Sequence, residues 1–323
     1  MSAVLVCLSD YPRDLVEGWV AGADVEVVLA PGGTGVPDLP EVLSRADVVV
    51  GDAARRVPLD AAVLAGMDRC RLVVHPAVGL DGVVDLDAAR ARGIRVVNAP
   101  GYNADAVADW AVMAMLLLLR DGVDADRDLR ARGWHPRPLG RELGALTVGI
   151  VGYGAVGRAV HRRLRGFGAQ VVVTTGHDTA DVAAAGGTQT DLATLLDRSD
   201  VVTLHAPLTA ATRHLLDASR LAAMRTGSVL VNASRGELVD EAALAAALRA
   251  GRPAAAALDV FATEPLPPDS PLLALDNAYL SPHVAAGTVQ ARQRVRALVG
   301  EAVSAALADT AAPAPRPHPP ARA

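Results

Sequence analysis

The chain contains no lysine; all 31 of its basic residues are arginine. That excludes chemistry requiring a lysine amine, such as a Schiff base. Cysteine is scarce: Cys7 and Cys70 are the only two, and both stand in apolar runs. They predict two buried thiols, not a disulfide, and no metal site is expected. No long run carries one charge sign, and the formal net charge is −5. Nucleic acid or an acidic membrane would demand a basic footprint, so neither is expected as a partner. Nor is there a long hydrophobic run. The most apolar stretch, "WAVMAMLLLL" at 110–119, is flanked by Asp105, Asp109, Arg120 and Asp121. It is too short to span a bilayer and predicts a buried interdomain or interface helix. The opening "MSAVLVCLSDYP" lacks a basic segment and a cleavage signature. A cytoplasmic protein is therefore expected.

What is present is a globular composition: 51% of the residues are hydrophobic and 21% charged. With 323 residues, two domains are the natural expectation. "AVLVCLS", "VEVVLA", "ADVVVGD", "CRLVVHP" and "IRVVNAP" read as buried strands separated by helical or loop segments. This is the βα alternation of a parallel sheet. A helix at 104–120 leads into a polar Gly/Pro-bearing connector, "DGVDADRDLRARGWHPRPLG". A second βα series follows: "LTVGIVG", "QVVVTTG", "DVVTLHA", "GSVLVNAS", "AAAALDV" and "AYLSPH". Helices are predicted at 156–166, 191–197, 217–223 and 240–250, with a last one in "TVQARQRVRALVGEAVSAAL". The Pro/Ala-rich end, 309–323, reads as a disordered tail.

Gly152, Gly154 and Gly157 form G-x-G-x-x-G between a hydrophobic strand and a helix. The first glycine permits the tight turn, the second lets the backbone approach a pyrophosphate, and the third allows close helix–strand packing. The helix N-terminus adds free N–H groups and partial positive charge. The alternative is a Gly-rich turn without a ligand.

Three polar signatures stand at later strand ends: "NASRGELVDE", "LDVFATEPLP" and "SPHVAAG". Ligands of open parallel sheets collect beyond the carboxyl ends of strands, which gives Arg235, Glu264 and His283 a shared destination. An arginine fork holds a carboxylate by two charge-assisted bonds. A histidine exchanges a proton near neutral pH, and a carboxylate orients its ring. Taken singly, each has a plain alternative: a surface arginine, an acid opening a turn beside Pro265, a satisfied loop histidine. His205 reads as support for the cofactor loop, and His161 as a residue of a polar helix face.

The ordered series from about residue 45 to 305 resembles the D-isomer-specific 2-hydroxyacid dehydrogenases. It comprises "AVGLDG", "ARGIRVVNAPGYNADAVADWAVMAMLLLLR", the glycine loop, "VVTLHAPLTAATRHLL", "VNASRGELVDEAAL", "LDVFATEP" and "SPHVAAG". The resemblance implies an α/β fold of two doubly wound parallel-sheet domains with an active cleft between them. It implies a Rossmann-type cofactor domain, residues 101–285, inserted in a flavodoxin-like substrate domain, residues 1–100 plus 286–308. It implies Arg235, Glu264 and His283 as the catalytic trio, with the N–H groups of Val78 and Gly79 on the substrate carboxylate. The dinucleotide would take Gly152, Gly154, Ala155, Val156 and Gly157 of the loop. Thr174, Thr175, Gly176 and His177 would flank its ribose. His205, Ala206, Pro207 and Thr212 would line one side, and Ala233 and Ser234 another, with Arg235 and His283 reaching the same ligand. Asp259 would face the nicotinamide. A homodimer through the helices near 104–120 is also implied. Asp109 departs from the family's usual glutamate, one extra residue falls within Gly82–Asp85, and Ala155 replaces a frequent arginine.

The expected reaction is reversible hydride transfer between a nicotinamide dinucleotide and C2 of a 2-oxo acid. Arg235 would bind the carboxylate, His283 would supply the proton, and Glu264 would pair with His283 and favour its charged form. A phosphonate- or phosphite-handling dehydrogenase of the same family is an alternative. A dinucleotide-sensing corepressor-like binding protein is another, but it would carry a broken trio or a basic or peptide-binding surface. A formate-dehydrogenase-like enzyme would pair its histidine with glutamine, where Glu264 stands. Gly51 stands nearest to where phosphoglycerate dehydrogenases carry a phosphate-binding arginine. Arg55, Arg56 and His75 could read a second anionic group; the plain alternative is a solvated arginine pair and a strand-end histidine.

One further absence bears on the cofactor. The acid that grips the adenosine ribose of an NAD enzyme should fall at Thr175, which is neutral. A carboxylate there would repel a 2′-phosphate by about 4 kcal/mol per pair of unit charges at about 4 Å and an effective dielectric near 20. His177 and Arg158 are possible cations for that phosphate, while Asp178 competes as a ribose acid. NADP or NAD is therefore expected, with NADPH modestly preferred.

Overall fold

The structure is a computed structural model that describes residues 2–176 and 180–308. The expected tail, and His177 and Asp178, lie outside the described residues. Two compact units form. One takes the described residues through Tyr102 and those from Val289 onward; the other is Asn103–Thr288.

The first unit runs β1 (Ala3–Cys7), α1 (Arg13–Trp19), β2 (Val25–Leu29), α2 (Leu39–Ser44), β3 (Val48–Val50), α3 (Ala61–Ala65), β4 (Leu72–Val74), α4 (Leu86–Ala91) and β5 (Arg95–Val97). All strand pairs are parallel, in the order β2-β1-β3-β4-β5. Val48, Val49, Val50, Leu72, Val73 and Val74 are buried, as a sheet covered on both faces requires. Aspartates start α2, α3 and α4. Asp38 accepts from the Glu41 N–H, Asp60 from Val63 and Asp85 from Ala88, which satisfies amides that have no partner within the helix. Cys7 and Cys70 are free and buried, and burial pushes both thiols up to about 12.

The second unit opens with α5 (Ala104–Leu119) and α6 (Gly122–Arg132). It continues β6 (Thr147–Val151), α7 (Ala155–Phe167), β7 (Gln170–Thr174), α8 (Ala180–Ala184), β8 (Thr188–Gln189), α9 (Leu192–Arg198) and β9 (Val201–Leu204). Then come α10 (Ala218–Ala223), β10 (Val229–Asn232), α11 (Glu241–Arg249), β11 (Ala255–Leu258) and β12 (Ala278–Leu280). Its seven strands are parallel in the order β12-β11-β10-β9-β6-β7-β8. The order reverses at β6/β9, which creates the crevice where such sheets hold ligands. Helix α5 is apolar nearly all round because it packs on α7, β10 and β11. No described helix is long and apolar enough to cross a membrane.

The chain then returns to the first unit as α12 (Val289–Ala308). Val295, Val299 and Val303 recur every fourth residue and meet Leu5, Val48, Val50 and Leu72 in one buried cluster.

Two expectations need correction. The connector after residue 120 is not irregular throughout: Gly122–Arg132 is helical with no buried residue. Ion pairs at helical spacing line it, Arg127–Asp124, Arg130–Asp126 and Arg132–Asp128, and such pairs support a helix that has no apolar stripe. His161 does not lie on a polar face. It is 1% exposed, because α7 turns that side toward Tyr153 and the core under β7.

Candidate active and cofactor site

The glycine loop leaves the carboxyl end of β6. Gly152 has φ +93°, and a Cβ on it would lie 2.5 Å from the Ala206 nitrogen. A Cβ on Gly157 would lie 2.2 Å from the Gly152 oxygen, so α7 sits directly on the strand end. At Gly154 a Cβ would meet nothing within 4 Å, leaving the approach over the loop open. Ala155 and Val156 begin α7 there, with N–H groups that the first helical turn cannot satisfy. These features fit a pyrophosphate: an open backbone face, a helix start and no acidic side chain in the loop.

Thr174 ends β7 and Thr175 follows it, both half-buried, while Gly176 is exposed. Arg158, in the first turn of α7, donates from Nη1 to the Tyr153 carbonyl at 3.0 Å and stands 3.8 Å from Asp181. After β9, the His205 N–H donates to the Val151 carbonyl, which holds this loop against the glycine turn. The His205 Nε2 lies 2.9 Å from the Thr203 hydroxyl, its Nδ1 is buried without a partner, and burial pushes its pKa down to about 4. Thr212 donates to the Pro207 carbonyl at 2.7 Å and so closes the turn that follows Ala206.

Beyond β10, Ala233, Ser234 and Arg235 form a tight turn. Ser234 Oγ donates to the Ala206 carbonyl at 2.7 Å, and Asn232 Nδ2 donates to the Arg235 carbonyl at 2.9 Å. Arg235 Nη1 donates to the Ser234 carbonyl at 2.8 Å. A Cβ on Gly236 would lie 1.9 Å from the Phe261 carbonyl carbon, so this turn presses backbone to backbone on the one that carries Glu264. Glu264 Oε1 accepts the Phe261 N–H at 3.0 Å, and Oε2 is 2.7 Å from His283 Nδ1. The pair is 33% and 41% exposed, open enough to meet a solute. His283 Nε2 has no partner among the described residues.

Asp259, expected to face the nicotinamide, also has partners in the loop that follows β12. It is fully buried, and its carboxylate accepts from Ser281 Oγ at 2.5 Å and from the Val284 and Ala285 N–H groups at 2.8 Å each. Its own carbonyl takes the His283 N–H at 2.8 Å. Asp259 therefore ties down the loop that keeps His283 at φ +52°, a conformation that non-glycine residues rarely adopt. Sequence reading missed this tethering role because the partners lie 22–26 residues away.

In the first unit, the Asn98 side-chain amide donates to the Val78 carbonyl at 2.6 Å and fixes the turn after β4. The Val78 and Gly79 N–H groups donate to no described residue. Arg56 is clasped by two acids: Asp52 takes its Nε and Nη2, and Asp10 also takes Nη2. Asp52 is 1% exposed, and the Arg56 contacts hold its carboxyl below the usual range despite burial. Arg55, next to this clasp, sits at φ +59° and has no ion pair among the described residues. His75 is fully buried with both ring nitrogens unpartnered, and burial, with Arg55 nearby, pushes it down to about 4. It is neutral near pH 7. A Cβ on Gly51 would lie 2.7 Å from His75 Nδ1, so the ring fills the space of the missing side chain. Asp109, the departure from glutamate, pairs with Arg163 at 2.6 Å.

Fold and site define a class: doubly wound α/β proteins with a dinucleotide-type glycine loop and a histidine–carboxylate pair on one sheet edge. Comparison with known proteins narrows it. The model for "D-isomer specific 2-hydroxyacid dehydrogenase, NAD binding domain" matches residues 112–285. The D-3-phosphoglycerate dehydrogenase of Mycobacterium tuberculosis (strain ATCC 25618 / H37Rv) is 41% identical over 292 residues, 90% of this chain and 52% of the relative. The glyoxylate reductase of Korarchaeum cryptofilum is 40% identical over 250 residues, 76% of this chain and 75% of the relative. Among solved structures, a glyoxylate reductase from Paecilomyes thermophila superposes with a TM-score of 0.85 at 28% identity, covering 95% of each chain. The chain belongs to the D-isomer-specific 2-hydroxyacid dehydrogenase family. It spans about half the length of the phosphoglycerate dehydrogenases it matches.

Proposed function

We propose that the protein is a nicotinamide-dependent 2-oxo acid reductase, reversible as a D-2-hydroxyacid dehydrogenase. The observation that carries this reading is the His283–Glu264 contact at 2.7 Å, on the same sheet edge as the glycine loop. The Gly152–Gly157 loop and the start of α7 would hold the pyrophosphate, and Thr174, Thr175 and Gly176 would flank the ribose. When bound, the nicotinamide supplies or accepts the hydride. Arg235 binds the substrate carboxylate and polarises the neighbouring carbonyl. Glu264 orients the ring through Nδ1, which leaves His283 Nε2 to give the proton to the carbonyl oxygen or take it back. The amides of Val78 and Gly79 suit a carboxylate. Arg55, exposed and adjacent to the Asp52–Arg56 clasp, suits a second anionic group such as a carboxylate, phosphonate or phosphate.

NADPH is the preferred cofactor by a modest margin. A neutral Thr175 leaves out the acid that would repel a 2′-phosphate, and Arg158 supplies a cation nearby. The enzyme is proposed to be cytoplasmic, consistent with two free thiols, and to work as a homodimer. The decisive experiment is a panel of 2-oxo acids, pyruvate and phosphonopyruvate included, with NADH and NADPH. Reduction of a charged 2-oxo acid with higher kcat/KM than pyruvate is expected, with NADPH at least equal to NADH. Equal or better use of pyruvate would remove the Arg55 assignment. An NADH advantage above about tenfold, or about 1.4 kcal/mol, would show that an acid serves the ribose after all.

A further inference from the structure

Between Gly152 and Gly154 of the glycine loop stands Tyr153. It is 3% exposed and turns inward, away from the open face of the loop. Its hydroxyl lies 2.7 Å from His161 Nδ1, and the two rings meet edge to face with centroids 5.8 Å apart. His161 comes from the second turn of α7, so the contact ties the loop to the helix that the loop starts. The other end of Tyr153 is also held: its carbonyl accepts from Arg158 Nη1 at 3.0 Å. Room for the imidazole comes from Gly187, where a Cβ would lie 2.8 Å from His161 Cε1.

We infer that Tyr153 and His161 are a positioning pair that sets the glycine loop for the dinucleotide. The inference rests on the cofactor reading above. Two buried polar groups in a cluster with Val160, Val173 and Val182 are costly unless paired, and an apolar pair would fill the space without that requirement. What the polar pair adds is direction. A hydrogen bond holds its atoms to a narrow distance and angle, where apolar contact allows sliding. The loop needs such a constraint, since its two flanking glycines give its backbone more freedom than other residues would. Burial holds both groups neutral, raising the tyrosine and lowering the histidine, so the contact is an uncharged hydrogen bond. Neither residue touches the reacting atoms; both act through the backbone of Gly152–Gly154.

The test is direct titration of the full chain with NADH and NADPH, followed by fluorescence, alongside turnover at saturating cofactor with the best 2-oxo acid. Y153F removes only the hydroxyl. It is expected to weaken binding of both dinucleotides about 5- to 10-fold, the worth of one hydrogen bond, with kcat within about twofold of wild type. H161L is expected to do the same. H161N, which keeps an acceptor near the Nδ1 position, restores most of the affinity, and Y153F/H161L binds no worse than either single variant. Should Y153F not fold, H161L against H161N carries the same comparison. If Y153F and H161L bind as tightly as wild type, even with a lowered Tm, the pair is only a core contact and the inference falls. If wild type itself binds neither dinucleotide, the cofactor reading falls and takes this one with it.

Discussion

His283 shows how much structure one side chain needs. Its ring is oriented by Glu264, its backbone by Asp259, and Asp259 by Ser281 and two amides. The positive φ is a strained state that persists only because the surroundings over-determine it. Replacing His283 by Ala should cost roughly 10²–10⁴-fold in kcat, the usual range for a general acid, while leaving dinucleotide affinity near wild type. Steady-state turnover and NADPH titration measure the two separately. Wild-type turnover in H283A would remove His283 from the chemistry. Arg56 is the opposite case, a basic residue adjacent to Arg55 whose charge is committed to Asp52 and Asp10. Adjacent arginines are identical in sequence and differ in availability because only one meets buried aspartate.

At the scale of elements, the segment after α5 matters most. The resemblance implies a homodimer through the helices near 104–120; most apolar residues of α5 are buried within its own unit, against α7 and the sheet. Exposed apolar side chains continue beyond it: Val123 and Leu129 on α6, then Trp134 at 90% and Leu139 at 98% exposure. Exposed apolar side chains concentrated in one segment suit burial against another surface. We therefore expect self-association through residues 123–139. Sedimentation of wild type should give a dimer, and the double substitution Trp134→Ala, Leu139→Asp should shift it toward monomer. A wild-type monomer at micromolar concentration would refute this, as would a double variant that stays dimeric. Helix α6 presents this surface although it buries nothing in its own unit. Its ion-paired faces hold it helical, which explains why a search for apolar periodicity passes it over.

For the whole molecule, burial holds His75 and His205 in the neutral form, and that has a pH signature. His75 is fully buried with its pKa lowered to about 4 from 6.5. The unfolded chain takes up a proton as pH falls below 6.5, while the folded one resists until about 4. Stability from this group is therefore complete above pH 6.5 and declines as pH drops toward 4, by about 3 kcal/mol at most. His205 acts in the same direction over the same window. Thermal unfolding from pH 7 to 4.5 should show Tm falling for wild type and falling less for His75→Gln, which does not titrate. Parallel curves for the two proteins would contradict the neutral, buried state of His75.

Much of the architecture was legible in sequence because it depends on neighbours along the chain. Strands announced themselves as runs of valine, the parallel sheets by βα alternation, and the glycine loop by three positions where no Cβ fits or none would help. The order of the signatures was enough to indicate the family. What the sequence did not reveal was partnership at a distance. That Asp259 tethers the His283 loop through Ser281, Val284 and Ala285 shows only in the fold. His161 looked like a solvated helix residue until Tyr153 and the gap at Gly187 enclosed it. Only tertiary structure decides which of two adjacent arginines is free, and whether a histidine is cationic or neutral, because burial and charge pairing are set by atoms that folding brings together from far along the chain.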